Sequence, residues 1–203
     1  MKKQIMMTTI TGALICASSL AIANARSGLV VGGQIGYAKP NVQWNSINSS
    51  DIKKGNLLFG AHIGFDVALS NYLSFGPEVG VFYSNNLSKI SSSGDTDKVS
   101  NLIVPVLADI KLYTPIGINF FAKMGVSYVN PSASKTGSSY SINWKSSWNF
   151  TAAAGVGYQI GPVNIFAQYM HIFGKDGVSV DGKKGTGYAA KIDAITLGLA
   201  YTF

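Results

Sequence analysis

The chain has 203 residues, room for one good-sized domain, and a formal net charge of +7 from 16 Lys and Arg against 9 Asp and Glu. Charged residues are only 12% of the whole, about half the share of a soluble domain, while 23 glycines, 10 Phe and 10 Tyr are present. That balance excludes a surface covered mainly by charge, and a single cysteine excludes a disulfide framework or a thiolate metal site.

Residues 1–25, MKKQIMMTTITGALICASSLAIANA, place Lys2 and Lys3 before an uncharged, largely apolar stretch that ends in Ala23-Asn24-Ala25. This is the layout of a cleaved secretory signal, which leaves 26–203 as the mature domain. Cys16 falls inside it, and Ile15 stands where lipoprotein processing needs a small residue. Without Lys2 and Lys3 the formal charge is +5, from 14 basic and 9 acidic residues.

The mature part repeats with period two. In LLFGAHIGFDVAL (57–69) the odd positions are Leu57, Phe59, Ala61, Ile63, Phe65, Val67 and Leu69, and the even positions include His62 and Asp66. A strand puts these two sets on opposite faces, whereas a helix would scatter them. Similar patterns give strands at 29–38, 57–69, 72–84, 101–113, 118–130, 147–160, 163–174 and 191–203. Each is long enough to cross a bilayer as a tilted strand of about 9 to 11 residues. In the seventh, Phe166, Met170 and Ile172 occupy the polar face, which leaves open either a bulge or a locally apolar interior.

The connections alternate in length. Ser70-Asn71, Thr114-Pro115-Ile116-Gly117 and Gly161-Pro162 are tight-turn sequences; the other four links are long and polar, as in KPNVQWNSINSSDIKKGN. An even number of strands with alternating short and long links predicts an all-β, antiparallel, up-and-down eight-stranded transmembrane barrel, with three short periplasmic turns and four long external loops. A soluble lipocalin-like barrel alternates too, but carries its apolar face inside. Here Asp66, Glu78, Asp109, Lys111 and Lys123 share the face opposite the aliphatic set, which places the polar side in the lumen. On the apolar face aromatics gather toward strand ends: Phe65, Phe75, Phe120, Tyr158, Tyr201 and Phe203 on the turn side, and Phe59, Tyr83, Tyr128, Trp148, Phe150 and Tyr169 on the loop side. Two such girdles are what bilayer interfaces select.

With its export signal, eight alternating strands and a last strand ending Tyr-Thr-Phe, the chain resembles the small eight-stranded outer-membrane proteins of Gram-negative bacteria, the OmpA/OmpX/Opa-like group. The resemblance implies residence in the bacterial outer membrane among lipid and lipopolysaccharide. It also implies delivery by periplasmic chaperones and the barrel-assembly machinery, with Tyr201 and Phe203 as the assembly signal. Unlike full-length OmpA, the sequence shows no periplasmic peptidoglycan-binding domain.

In the lumen, His62 joins the five charges, and strand direction matches Glu78 to Lys123 in depth. A hydrogen-bonded plug is expected, because buried charges are costly unless they pair. The loops are basic overall. Lys53, Lys54, Lys183 and Lys184, with Trp44 and Trp144 as apolar anchors, are the expected contacts to lipopolysaccharide phosphates or host surface molecules. Nucleic acid does not fit a surface that faces outside the cell. No catalytic, cofactor or metal set is expected; His171 stands at the height of lipid ester bonds but lacks the serine two residues on that lipid A deacylases resembling this group use. The reading is a structural and adhesive barrel, with a small gated pore as the alternative and a lipid A-modifying enzyme as a second alternative.

Overall fold

The computed structural model describes residues 24–40, 52–92, 95–134, 141–174, 176–181, 184–189 and 191–203. The expected signal segment lies outside the described residues but for its last two. Eight long strands form the barrel: β1 (Gly28–Pro40), β3 (Asn56–Ser70), β4 (Leu73–Ser92), β5 (Asp95–Tyr113), β6 (Ile118–Ser134), β8 (Ser147–Ile160), β9 (Val163–Phe173) and β12 (Ile192–Thr202). Each pairs antiparallel with the next, and β1 closes the ring on β12 from Val30↔Thr202 to Pro40↔Ile192. Closure leaves no unpaired strand edge in the bilayer, where an unbonded backbone group would cost several kcal/mol.

The alternation in the sequence becomes alternation in exposure. On β3 the outward row includes Phe59, Ile63 and Phe65, each about half exposed, while Leu58, His62 and Asp66 are buried. The large exposed apolar side chains are the lipid-facing wall, with Phe65, Phe75, Phe120, Tyr201 and Phe203 at the turn end and Phe59, Tyr83, Trp148, Phe150 and Tyr169 at the loop end.

Two of the three short turns fall where expected. Ile160 pairs with Val163 across Gly161-Pro162, with Gly161 at φ 59°; Thr114 to Gly117 is closed by Thr114 N–H donating to Ile118 O, with Gly117 at φ 93°. Both glycines occupy the left-handed region, where a Cβ is strained. The first turn is displaced by one residue. Ser70 pairs with Leu73, so the turn is Asn71-Tyr72, and Ser70 Oγ accepts the Tyr72 N–H.

The long links hold more structure than loops. β4 and β5 continue beyond the barrel as a ribbon to Ser92↔Asp95, and β2 (Ile52–Lys54) adds to its side. A separate three-stranded sheet forms from β7 (Ser141–Trp144), β10 (Asp176–Asp181) and β11 (Lys184–Ala189). In β10 the β-branched Val178 and Val180 favour an extended backbone.

Lumen, loop and outer-rim candidate sites

The lumen is filled in two layers. Its loop-side half is apolar, with Leu58, Phe82, Ile103, Val129, Met170 and Ile172 all at 2% exposure or less. This explains the seventh segment: β8 and β9 pair without a register shift, so no bulge is involved; Met170 and Ile172 face this apolar layer, and Phe166 joins a smaller apolar cluster with Val30, Phe121 and Ala200 nearer the turns. Aromatic rings fit inside so narrow a barrel because glycines face them. His62 lies over Gly32, Phe82 over Gly60, Phe121 over Gly155 and Phe166 over Gly198, and a Cβ at any of the four would strike the ring.

The turn-side half is polar and holds all five expected charges, each at 9% exposure or less. Lys123 Nζ donates to both oxygens of Glu78, at 2.8 and 2.7 Å. Lys111 Nζ donates to Asp66 Oδ2 at 2.7 Å. Asp109 sits between the two cations, 3.3 Å from Lys111 and 3.9 Å from Lys123. Strand register makes this possible, since Asp109 and Lys123 are direct partners on β5 and β6, and each lysine stem reaches across a neighbouring strand to its carboxylate.

His62 extends the chain. Its Nε2 is 3.9 Å from Glu78 Oε2; its Nδ1 faces the Gln34 amide at 3.5 Å, and Gln34 Oε1 accepts the Thr196 hydroxyl at 2.6 Å. The network thus crosses the lumen from β12 to β5. Lys123 also packs over the rings of Phe121 and Phe166, with Nζ 5.1 and 5.9 Å from their centroids. A cavity with room for about one water lies beside His62, Glu78 and Lys123. Gln34 was not singled out in the sequence, although its inward parity on β1 was legible there.

The expected loop contacts are not gathered into a described site. Trp44 and Lys183 lie outside the described residues. Lys53 and Lys54 are on β2, Lys184 opens β11 and Trp144 ends β7; Lys184 pairs with Ser141, and Trp144 with Gly187. The backbone therefore brings the third and fourth links together, while Lys53 and Lys54 lie against the β4 ribbon. Among the described residues no group of three or more His, Cys, Asp or Glu is placed to hold a metal ion.

At the loop end of the outer wall, sequence reasoning missed a cluster. His171 Nδ1 and the Tyr169 hydroxyl both meet Asp193 Oδ1 at 2.6 Å. The His171 ring also packs edge-on against Phe173, with centroids 4.3 Å apart. The three polar residues share outward parity on β9 and β12, where Asp193 is the direct partner of His171. At the other end of β12, Tyr201 and Phe203 stack at 4.6 Å between centroids, and Phe203 N–H donates to Leu29 O, tying the last residue to β1.

Similar architecture is found in Neisserial surface protein A, with a TM-score of 0.56 and 16% identity over 87% of this chain and 98% of that one. The outer membrane protein OprG from Pseudomonas aeruginosa gives 0.57 and 12%, over 89% and 98%. No curated protein matches the chain in sequence. The profile of the OmpA-like transmembrane domain matches residues 25–203, nearly all of it. With eight strands closed into a barrel, a lipid-facing apolar wall and that match, the chain is a protein of the bacterial outer membrane and belongs to the family of OmpA-like transmembrane domains.

Proposed function

We propose that this barrel is a closed scaffold of the outer membrane whose external links are the working surface, serving envelope integrity and adhesion to lipopolysaccharide or host surface molecules. The observation that carries the reading is the filling of the lumen. An apolar layer and a paired charge network lie one above the other, and eight strands enclose only enough space for side chains. Such an interior stabilises the wall and leaves function to the loops, where binding residues collect on rigid folds. The basic balance of the external links favours anionic partners.

Planar-bilayer recording and a binding assay test the two halves separately. The refolded protein is expected to give no stable large conductance, and sustained open-channel currents would overturn the closed-scaffold half. Binding to lipopolysaccharide-coated surfaces or anionic glycans should weaken as salt shortens the Debye length and fall on changing Lys53, Lys54, Lys183 and Lys184 together to Gln. Salt-insensitive binding, or unchanged binding by that variant, would overturn the adhesive half. For catalysis, His171 has the orienting carboxylate of a general base in Asp193, yet its described contacts supply no nucleophile; lipid A of unchanged mass with and without the gene is the expected result.

A further inference from the structure

The cluster around Asp193 occupies a place where charge is expensive. Among the described side chains of the barrel wall, outward parity carries a charged group or an imidazole in one sector, at the loop end of three adjacent strands. Lys39 on β1, Asp193 on β12 and His171 on β9 form a single row, because Asp193 pairs with both of the others. Lys191, two residues before Asp193, extends the sector outward. One row closer to the bilayer centre the same strands present Tyr37, Ile195 and Tyr169, the interfacial aromatic level. On β9 the half-exposed Phe173 stands one row farther out than His171 and pairs with Phe150, so the charged row is set within the loop-side aromatic girdle, at the interfacial level of the outer leaflet.

Its chemistry is directional. Asp193 accepts the Tyr169 hydroxyl and holds a proton on His171 Nδ1, which leaves His171 Nε2 and the second carboxylate oxygen unused by those contacts. His171 and Asp193 remain 20% and 33% exposed at their side chains, so both are reachable from the leaflet. Two lysines against one carboxylate leave the sector with an excess of positive charge. Beside it the wall carries small side chains: Ala152 and Ala154 on β8 are the partners of His171 and Tyr169, and Ala122 on β6 is the partner of Ala154.

We propose that this sector docks the phosphorylated sugar headgroup of an outer-leaflet lipid. The ammonium groups of Lys39 and Lys191 take a phosphate, the Asp193–His171 pair takes sugar hydroxyls, and an acyl chain lies along the small alanine side chains beside them. The site deepens the lipid-contact part of the proposed function, but it rests on the wall and not on the loops, so variants of the two sets separate the readings.

The test uses the full chain refolded in nanodiscs of phosphatidylcholine doped with lipopolysaccharide, dephosphorylated lipopolysaccharide or phosphatidylglycerol at matched charge, measuring lipid retained after mild detergent extraction. The wild type should retain lipopolysaccharide above both comparators, and soluble inorganic phosphate should not displace it. Lys39→Gln with Lys191→Gln should weaken retention about 30-fold, from about one surface-lysine increment each. Lys39→Arg with Lys191→Arg should restore it, and the loop-lysine variant should leave it unchanged. Equal retention of phosphatidylglycerol by the wild type, which needs no variant to fold, would overturn the site as mere surface charge. So would undiminished retention by the folded Gln double variant.

Discussion

Replacing Lys123 by Met tests whether the lumen network is held by pairing. In the folded barrel three carboxylates, Asp66, Glu78 and Asp109, face two ammonium groups, Lys111 and Lys123, all buried. These five side chains thus carry one excess negative charge. Lys123→Met raises that excess to two and strips Glu78 of both its short contacts, 2.8 and 2.7 Å. Breaking a buried pair from one side typically costs about 3–5 kcal/mol, chiefly because the stranded charge stays desolvated.

Glu78→Leu removes one negative charge instead and leaves Lys123 with Asp109, at 3.9 Å, as a ready acceptor, so its cost should be smaller. Combining the two restores the native excess of one and fills the space with apolar atoms. The double variant should therefore be more stable than Lys123→Met alone, with a coupling of about 2 kcal/mol. Urea unfolding in phospholipid vesicles, followed by gel mobility of the folded form and checked for reversibility, measures all four corners. Raising salt should change the coupling little, because buried pairs are poorly screened. Strictly additive single costs, or a Lys123→Met cost below about 1 kcal/mol, would refute the pairing argument.

Phe82→Ala empties the space above Gly60 in the apolar layer and should cost about 3–5 kcal/mol in the same unfolding assay; a loss under about 1 kcal/mol would mean that layer is loosely packed. Gly161→Val, at φ 59° with open space around the added Cβ, should cost about 1–2 kcal/mol from backbone strain alone, and Gly161→Asn should cost clearly less. Phe203→Ala is expected to lower the amount assembled in cells far more than it lowers the stability of barrels refolded in detergent. Equal losses in cells and in detergent would reduce Phe203 to ordinary packing against Tyr201.

Strand existence was legible because a bilayer imposes one rule on every residue of the wall. On β3 and β12 the outward row is apolar through the bilayer, with Asp193 at the loop end of β12 as its one charge, and both strands could be bounded to within a residue. β9 breaks it at Phe166, Met170 and Ile172 for a reason no single strand can display. Met170 and Ile172 join Leu58, Phe82 and Ile103, and Phe166 joins Val30 and Phe121; these come from strands far away in sequence, and only the closed ring brings them together. The ribbon of β4 and β5 was missed for a different reason. Beyond the bilayer no apolar wall is required, so alternation disappears from the sequence while the backbone ladder continues.

The two candidate sites differ in the same respect. Glu78 and Lys123 could be matched from the sequence because depth alone, counted from the turns, aligns them. Asp193 and His171 could not, since β12 and β9 are separated by two further strands in sequence, and their meeting depends on register across a pair joined by no turn. Parity put His171 on the lipid face and left it unexplained. Once register is known, the same parity places Lys39, Asp193 and His171 side by side, above tyrosines that mark the edge of the bilayer. A carboxylate in that position, braced by a phenol and an imidazole and flanked by lysines, has lipid headgroups as its nearest solvent. The outer rim, as much as the loops, is therefore where recognition by this scaffold should be sought.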